Sequence, residues 1–373
     1  MKRIVFSVAA LLSLTTASFA TDYPATVTDV SGRTVTIAKK PEHIILQDGR
    51  DMLTMALLDR DNPFERVVGW ATNLVKDDPT TVKLLDKAFG KEPTRLTISE
   101  DGDADVEAMI AAKPDLVIAQ QRAEPTFKSS GVEQKLTALG IPVLYVDITK
   151  DPIKDTPLSV TVIGKAVDRE KEAAEYVSFY KQHLDHLNEV IAKQTVHPNV
   201  FMEVKAGQQG DGCCFTHGGS GFGQLVAALK GNNIGTKLLP GASGTISLET
   251  LLSSNPPDVY IMTGSQWINP QSIAAPFGYG STMERVTTAL TKLEQRDGMS
   301  AIKAVQDGRV YGIYHQFYSH PYNIVGLEYL ATFLYPQAFK DLKPDATFSE
   351  LIKRFTKIPD EPIVLGATVA LTH

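Results

Sequence analysis

Two sets of residues in this sequence could do chemistry. The first is the run Gly210-Asp211-Gly212-Cys213-Cys214-Phe215-Thr216-His217-Gly218-Gly219-Ser220-Gly221-Phe222-Gly223. A secreted serine hydrolase would use Ser220 there, with His217 or His315 as base, but the spacing opposes it. A nucleophile elbow needs Gly-x-Ser-x-Gly, and two residues after Ser220 comes Phe222. A dinucleotide fingerprint needs Gly-x-Gly-x-x-Gly, whereas Gly219, Gly221 and Gly223 alternate. The chain's two cysteines, Cys213 and Cys214, are neighbours. In an oxidising compartment they are expected to close as a vicinal disulfide, free thiols or an intermolecular bridge being the alternatives. The surrounding glycines then let the backbone turn sharply and offer N–H groups to an anion.

The second set lies in loops that follow apolar strand-like runs, where open α/β sheets bind ligands. It comprises Arg50, Trp70, Gln121, Arg122, Lys205, Cys213, Cys214, His217, Trp267, His315, Tyr318 and His320. Arginine and lysine supply charge, rings supply stacking and cation–π contact, and amides supply orientation. Together they suit a large anionic ligand with flat organic parts. Each residue also has a duller role open to it: lobe packing for Trp70 and Trp267, bracing a carboxylate for Arg50 and Arg122. His183 and His186 fall on a charged helix face and are expected to be solvated. A metal held by side chains alone would need three or four His, Asp or Glu converging from both halves. The N-terminal half offers no histidine in a post-strand loop, so no metal site is expected.

The elements that must position these loops alternate. Ile44-Ile45-Leu46, Val67-Val68-Gly69-Trp70, Leu116-Val117-Ile118-Ala119 and Val143-Leu144-Tyr145-Val146 are short apolar strands interspersed with helical segments, which predicts an α/β lobe with a mainly parallel sheet. A hairpin over residues 22–40, turning at Ser31-Gly32, precedes it as an edge ornament. The pattern restarts at Asn199-Val200-Phe201-Met202-Glu203-Val204. One internal match ties the halves: Asp105 to Ile118 aligns with Ser247 to Ile261, each a short helix with an early glutamate, Glu107 or Glu249, broken by proline before an apolar strand. Between the halves, Val162, Ile163, Ala166, Val167, Ala173, Ala174, Val177, Tyr180, Leu184, Leu187 and Ile191 recur mostly at three- and four-residue steps. That spacing predicts one helix, or two in line, as a strut. The resulting division is a leader over 1–20, an N-terminal lobe over 21–154, an inter-lobe helix over 155–195 and a C-terminal lobe over 196–373.

The 373 residues, 43% hydrophobic and 21% charged, suffice for two domains. Lys2 and Arg3, an apolar run from Ile4 to Leu14 and then Ser18-Phe19-Ala20 form a signal-peptide pattern. No lipobox cysteine adjoins it and no later apolar run reaches ~18 residues, so an exported, periplasmic chain without lipid anchor or membrane span is expected. Loss of Lys2 and Arg3 would take the formal charge from −6 to −8, which argues against nucleic acid as a partner.

Several stretches in this order resemble the substrate-binding proteins of iron-compound ABC importers: Val27-Thr28-Asp29-Val30-Ser31-Gly32-Arg33, Lys113-Pro114-Asp115-Leu116-Val117-Ile118, Leu139-Gly140-Ile141-Pro142-Val143, Asn232-Asn233-Ile234, Ser247-Leu248-Glu249, Pro257-Asp258-Val259-Tyr260-Ile261 and Asp307-Gly308-Arg309-Val310-Tyr311. The resemblance implies two similar Rossmann-like α/β lobes joined by one long helix, the class III periplasmic binding protein architecture. It implies a monomeric, non-enzymatic receptor with no cofactor of its own, iron entering only within a bound ferric siderophore. Haem, cobalamin or an oxyanion such as molybdate are the other loads it allows, with Tyr318 or His320 as the axial ligand for haem. The implied partner is a permease dimer in the inner membrane, whose subunits would each meet one of Glu107 and Glu249. Those glutamates could instead only cap their helices.

Overall fold

The computed structural model describes residues 21–254 and 256–369; the leader expected over residues 1–20 lies outside them. Strands β1 (Ala25–Thr28) and β2 (Thr34–Ile37) pair antiparallel, Ala25 opposite Ile37. This hairpin is more than an ornament. Asp29, buried at its turn, accepts from Arg33 Nε at 3.0 Å and Nη2 at 2.8 Å, and the Arg33 guanidinium lies 4.2 Å from the centre of the Tyr145 ring.

Five strands make the N-terminal sheet: β3 (Ile44–Leu46), β4 (Val67–Ala71), β5 (Thr94–Leu96), β6 (Leu116–Gln120) and β7 (Val143–Val146). All are parallel, in the order β5-β4-β3-β6-β7. The C-terminal sheet holds β8 (Asn199–Glu203), β10 (Asn232–Asn233), β12 (Val259–Gly264), β14 (Val310–Tyr314) and β16 (Gly366–Thr368), in the order β10-β8-β12-β14-β16, with only β16 antiparallel. Two small antiparallel pairs, β9 (Phe215–His217) with β11 (Ser243–Thr245) and β13 (Gly278–Tyr279) with β15 (Ile363–Val364), flank it. Every residue of β6 and β12 is buried, as strands covered by helices on both faces require. Each strand order reverses direction once, between β3 and β6 and between β8 and β12. Those are the points where doubly wound sheets open a crevice beyond their carboxyl ends.

The internal match holds in its capping and strand contacts. Asp105 caps its helix by accepting from Ala108 N at 3.0 Å, and Ser247 Oγ accepts from Thr250 N at 3.1 Å. The aspartates after the prolines then staple each lobe's first strand. Asp115 accepts from His43 N at 2.9 Å and Asp258 from Asn199 N at 2.9 Å.

The strut is shorter than its periodicity suggests. The chain leaves β7 in a helix over Pro152–Ala166, breaks at Val167-Asp168-Arg169 and returns in a second helix over Glu170–Ile191. Asp168 takes φ +58°, and a Cβ on Gly164 would come 2.6 Å from Cβ of Ala173, so the two helices lie side by side. The seam is locked by polar groups: Asn323 Nδ2 donates to Thr156 Oγ1 at 2.7 Å and Asn323 Oδ1 accepts from Tyr180 O–H at 2.9 Å. His183 is not solvated as expected but lies 2.7 Å from the buried Glu328 carboxylate.

Candidate functional site

The turn after β3 sets the floor of the cleft. Gly49 sits where a Cβ would meet the Ala71 carbonyl oxygen at 2.4 Å, so the chain can pass there only as glycine. Asp48 on one side of it and Arg50 on the other are both buried. Arg50 grips Asp48 through Nε at 2.9 Å and Nη2 at 2.7 Å, and Arg122, from the turn after β6, pairs with the same carboxylate. Burial alone would raise the Asp48 carboxyl, but the two guanidiniums overcome it and hold it well below the usual range. Glu100 closes the cluster from above, 3.0 Å from Arg50. Asp77 lies 3.9 Å from Arg50, and burial pushes its carboxyl up to about 6 against the pull of that arginine.

Opposite, the C-terminal lobe presents rings. His217 lies 4.9 Å from Tyr318, Tyr318 5.1 Å from His315, and His315 5.0 Å from Trp267, centre to centre and edge on. Burial pushes His217 down to about 4 and His315 well below the ordinary histidine range, with Lys205 adding to both, so the wall is uncharged at neutral pH. Lys205 is exposed, and its backbone takes φ +59°, a conformation that favours glycine. It is held there by its N–H to Thr263 Oγ1 at 2.8 Å.

Between floor and wall lies a cavity of about 510 Å³, lined by Gln121, Arg122, Thr149 and Lys150 from one lobe and by His217 and Tyr318 from the other. At its edge Gly221, at φ +53°, donates to the Thr149 carbonyl at 2.9 Å; a Cβ there would meet His217 Nδ1 at 2.7 Å. Further contacts close the lobes together: Ser265 Oγ and Gln316 Nε2 each donate to the Asp77 carbonyl at 2.9 Å, and Tyr314 O–H donates to Asp78. A second cavity, about 360 Å³, lies against Lys205, Phe215 and Cys213. Cys213 and Cys214 are joined as a vicinal disulfide. Beneath it Glu203 accepts from Tyr260 O–H at 2.8 Å and pairs with Arg296 at 2.5 Å, and Arg296 Nη1 reaches the Gly212 carbonyl at 3.4 Å. A third cavity of about 700 Å³ runs along the outer side of Trp267.

The expected residues divide accordingly. Gln121, Arg122, His217 and Tyr318 meet at the inter-lobe cavity, while Lys205 and Cys213 line the neighbouring one and Trp267 the third. Cys214 and His315 stand behind this surface, fully buried or nearly so. Arg50 is also buried, with Glu100 at 3.0 Å and Asp77 at 3.9 Å from its guanidinium. Trp70 is placed elsewhere: it is 0% exposed and packs 6.5 Å from Phe64 inside the N-terminal lobe, the duller of its two roles. His320 lies in an apolar seam with Leu53, Tyr314 and Tyr322, and burial lowers it to about 3. Ser220 Oγ donates to the Ala242 carbonyl at 3.2 Å while His217 Nδ1 accepts from Phe222 N at 3.3 Å, so the two are turned to different partners rather than paired as nucleophile and base. Glu107 and Glu249 are exposed on the lobe surfaces, and Asp105 and Ser247 do the capping. Asp77 and Glu100 were not among the expected site residues; no periodicity or motif marks them.

Two doubly wound lobes, closed over a cavity whose walls come from both and bridged by a helix pair, define a solute receptor. The chain belongs to the periplasmic binding protein family, which it matches over residues 63–316. It is 28% identical over 326 residues to the uncharacterized ABC transporter substrate-binding lipoprotein YvrC of Bacillus subtilis (strain 168), covering 86% of this chain and 88% of that one. The TroA-like periplasmic binding protein FepB from Veillonella parvula is similar in structure at 26% identity and a TM-score of 0.84, over 93% of this chain and 100% of that one. The molybdate-bound MolA of Haemophilus influenzae shares the fold at 17% identity and a TM-score of 0.69, over 91% and 99% of the two chains. The protein is therefore a binding protein and not an enzyme, an extracytoplasmic one whose partner is an ABC transporter. Among the described residues no helix is long and apolar enough to cross a membrane.

Proposed function

We propose that the solute is a ferric siderophore or related iron chelate, held between the lobes in the periplasm and delivered to the permease dimer of an ABC importer. The observation that carries this reading is the pairing, around one cavity of about 510 Å³, of uncharged rings from the C-terminal lobe with Arg122 and Lys150 from the N-terminal lobe. That volume falls within the range of small-molecule sites, roughly 300–1,000 Å³. Rings offer stacking area to the organic chelator, and the two cations answer its negative charge. Trp267, 5.0 Å from His315, reports on the wall. Titration with ferric catecholate, hydroxamate and carboxylate complexes should therefore quench tryptophan fluorescence for at least one class. A response to haem or molybdate with none to any ferric chelate overturns the reading; for haem, Tyr318 is the ring oxygen at the cavity wall.

A further inference from the structure

Glu100 sits at the turn of a small loop pinned at its base, where Ile98 bridges Ala104 and Ser99 N donates to the Asp103 carbonyl at 2.8 Å. The peptide of Glu100 is fixed: its carbonyl accepts from Arg122 Nε at 3.0 Å and from Gln47 Nε2 at 3.2 Å. The side chain is not. It is 46% exposed, against 2% for Arg50, 23% for Arg122 and 1% for Asp48, yet its two oxygens straddle the arginines, 3.0 Å from Arg50 and 3.7 Å from Arg122. The Asp77 carboxyl stands farther off, 3.9 Å from Arg50, and Asp48 and Glu100 are the two carboxylates that approach both guanidiniums. Only one of those carboxylates can leave. Asp48 is walled in and gripped by both arginines, so stripping it would leave uncompensated buried charge. Glu100 can turn into water by side-chain rotation alone, its backbone staying in place. Its departure uncovers two convergent guanidinium edges beside the cavity that Arg122 lines, a geometry that suits one oxyanion group with two oxygens.

We propose that Glu100 is a built-in counter-anion: its carboxylate occupies the place of a single oxyanion group of the ligand and is exchanged for that group on binding. It is thereby a specificity-determining residue. An anion gains only the difference between its own contacts and those of Glu100, so weak or ill-fitting anions are rejected while the arginines stay neutralised in the empty receptor. This rests on the reading that the cleft takes an anionic chelate, but it is testable without that chelate.

The probe is citrate, titrated calorimetrically into the whole mature protein, wild type and Glu100→Gln, with Glu100→Ala as a second variant. The expected result is at least tenfold tighter citrate binding by both variants, and loss of that gain when Arg122→Met is added. Equal citrate affinity in wild type and both variants, equal absence of binding included, overturns the proposal. A gain that survives Arg122→Met overturns it too, since the anion would then sit elsewhere. Ferric siderophores titrated in parallel separate the two readings. A citrate gain with no ferric chelate bound rejects the iron-chelate reading alone, and a ferric chelate bound equally well by all variants without any citrate gain rejects the counter-anion alone.

Discussion

Asp51 stands next to Arg50 but faces the protein interior, where Gln120 Nε2 donates to both its oxygens at 2.9 Å. Burial, with the charge of Asp48 adding to it, pushes its carboxyl up to about 8. A carboxyl raised on folding holds its proton in the native state, so its contribution to stability is complete below its unfolded value near 4 and is lost as pH rises through about 8. Across that window the group costs roughly 1.4 kcal/mol per pH unit. The prediction is that Asp51→Asn, which cannot ionise, loses less stability than wild type between pH 5 and pH 7.5 in urea unfolding. Parallel losses would show that Asp51 does not stay protonated. At this scale the sequence was half legible. It exposed the types that meet a ligand, Arg122, Tyr318 and His217 among them, because loops after strands can be located from pattern. It could not expose which acids come to rest on the arginines, since Asp48, Asp77 and Glu100 arrive from three separate stretches. Nor could it tell Trp70, which lies within a core strand, from Trp267, which lies in the loop after one.

The paired helices Val106–Ala111 and Leu248–Ser254 carry the repeat to the surface. With Asp105 and Ser247 supplying the caps, Glu107 and Glu249 stand exposed at the surface, Glu107 76% exposed and paired with Lys135 at 3.3 Å. An exposed pair of that kind contributes little to stability. Replacing both glutamates by alanine is predicted to change unfolding free energy by less than about 1 kcal/mol and to leave solute affinity unchanged. Uptake in cells should fall severely, and partly for each single change. Normal uptake by the double variant at normal protein level would remove the docking role. Element boundaries were less legible than element types. The strut's periodicity ran through its break because the buried residues of both helices share three- and four-residue steps. Yet the five polar residues between Val167 and Ala173 were the visible interruption.

At the scale of the molecule, the lobes are joined by two helices side by side, pinned to the C-terminal lobe through Asn323. Bending between the lobes would have to break that buried polar node, where each unsatisfied group costs about 1–3 kcal/mol. Opening to admit a solute should therefore be a small rocking that parts the Asp77 and Thr149 contacts rather than a wide hinge motion. Scattering profiles with and without ligand are predicted to superpose nearly; a large fall in radius of gyration on binding would contradict this. The two-lobe plan was the most legible level of all, because a repeated helix–proline–strand unit survives in the sequence as a register of like residues.

The border strand β16 gives the molecule a direction in time. It is made by residues 366–368, lies antiparallel beside β14, and fits only because Gly366 leaves room for the Tyr329 ring, which a Cβ would meet at 2.4 Å. A chain synthesised or threaded from its N-terminus thus completes its first sheet and both bridging helices while the second sheet still has a raw edge along β14. Unpaired edges recruit foreign strands, so the newborn receptor passes through an interval in which its C-terminal half is the vulnerable part. The arrival of β16 shortens that edge from the five residues of β14 to its own three, β16 then being the sheet's border.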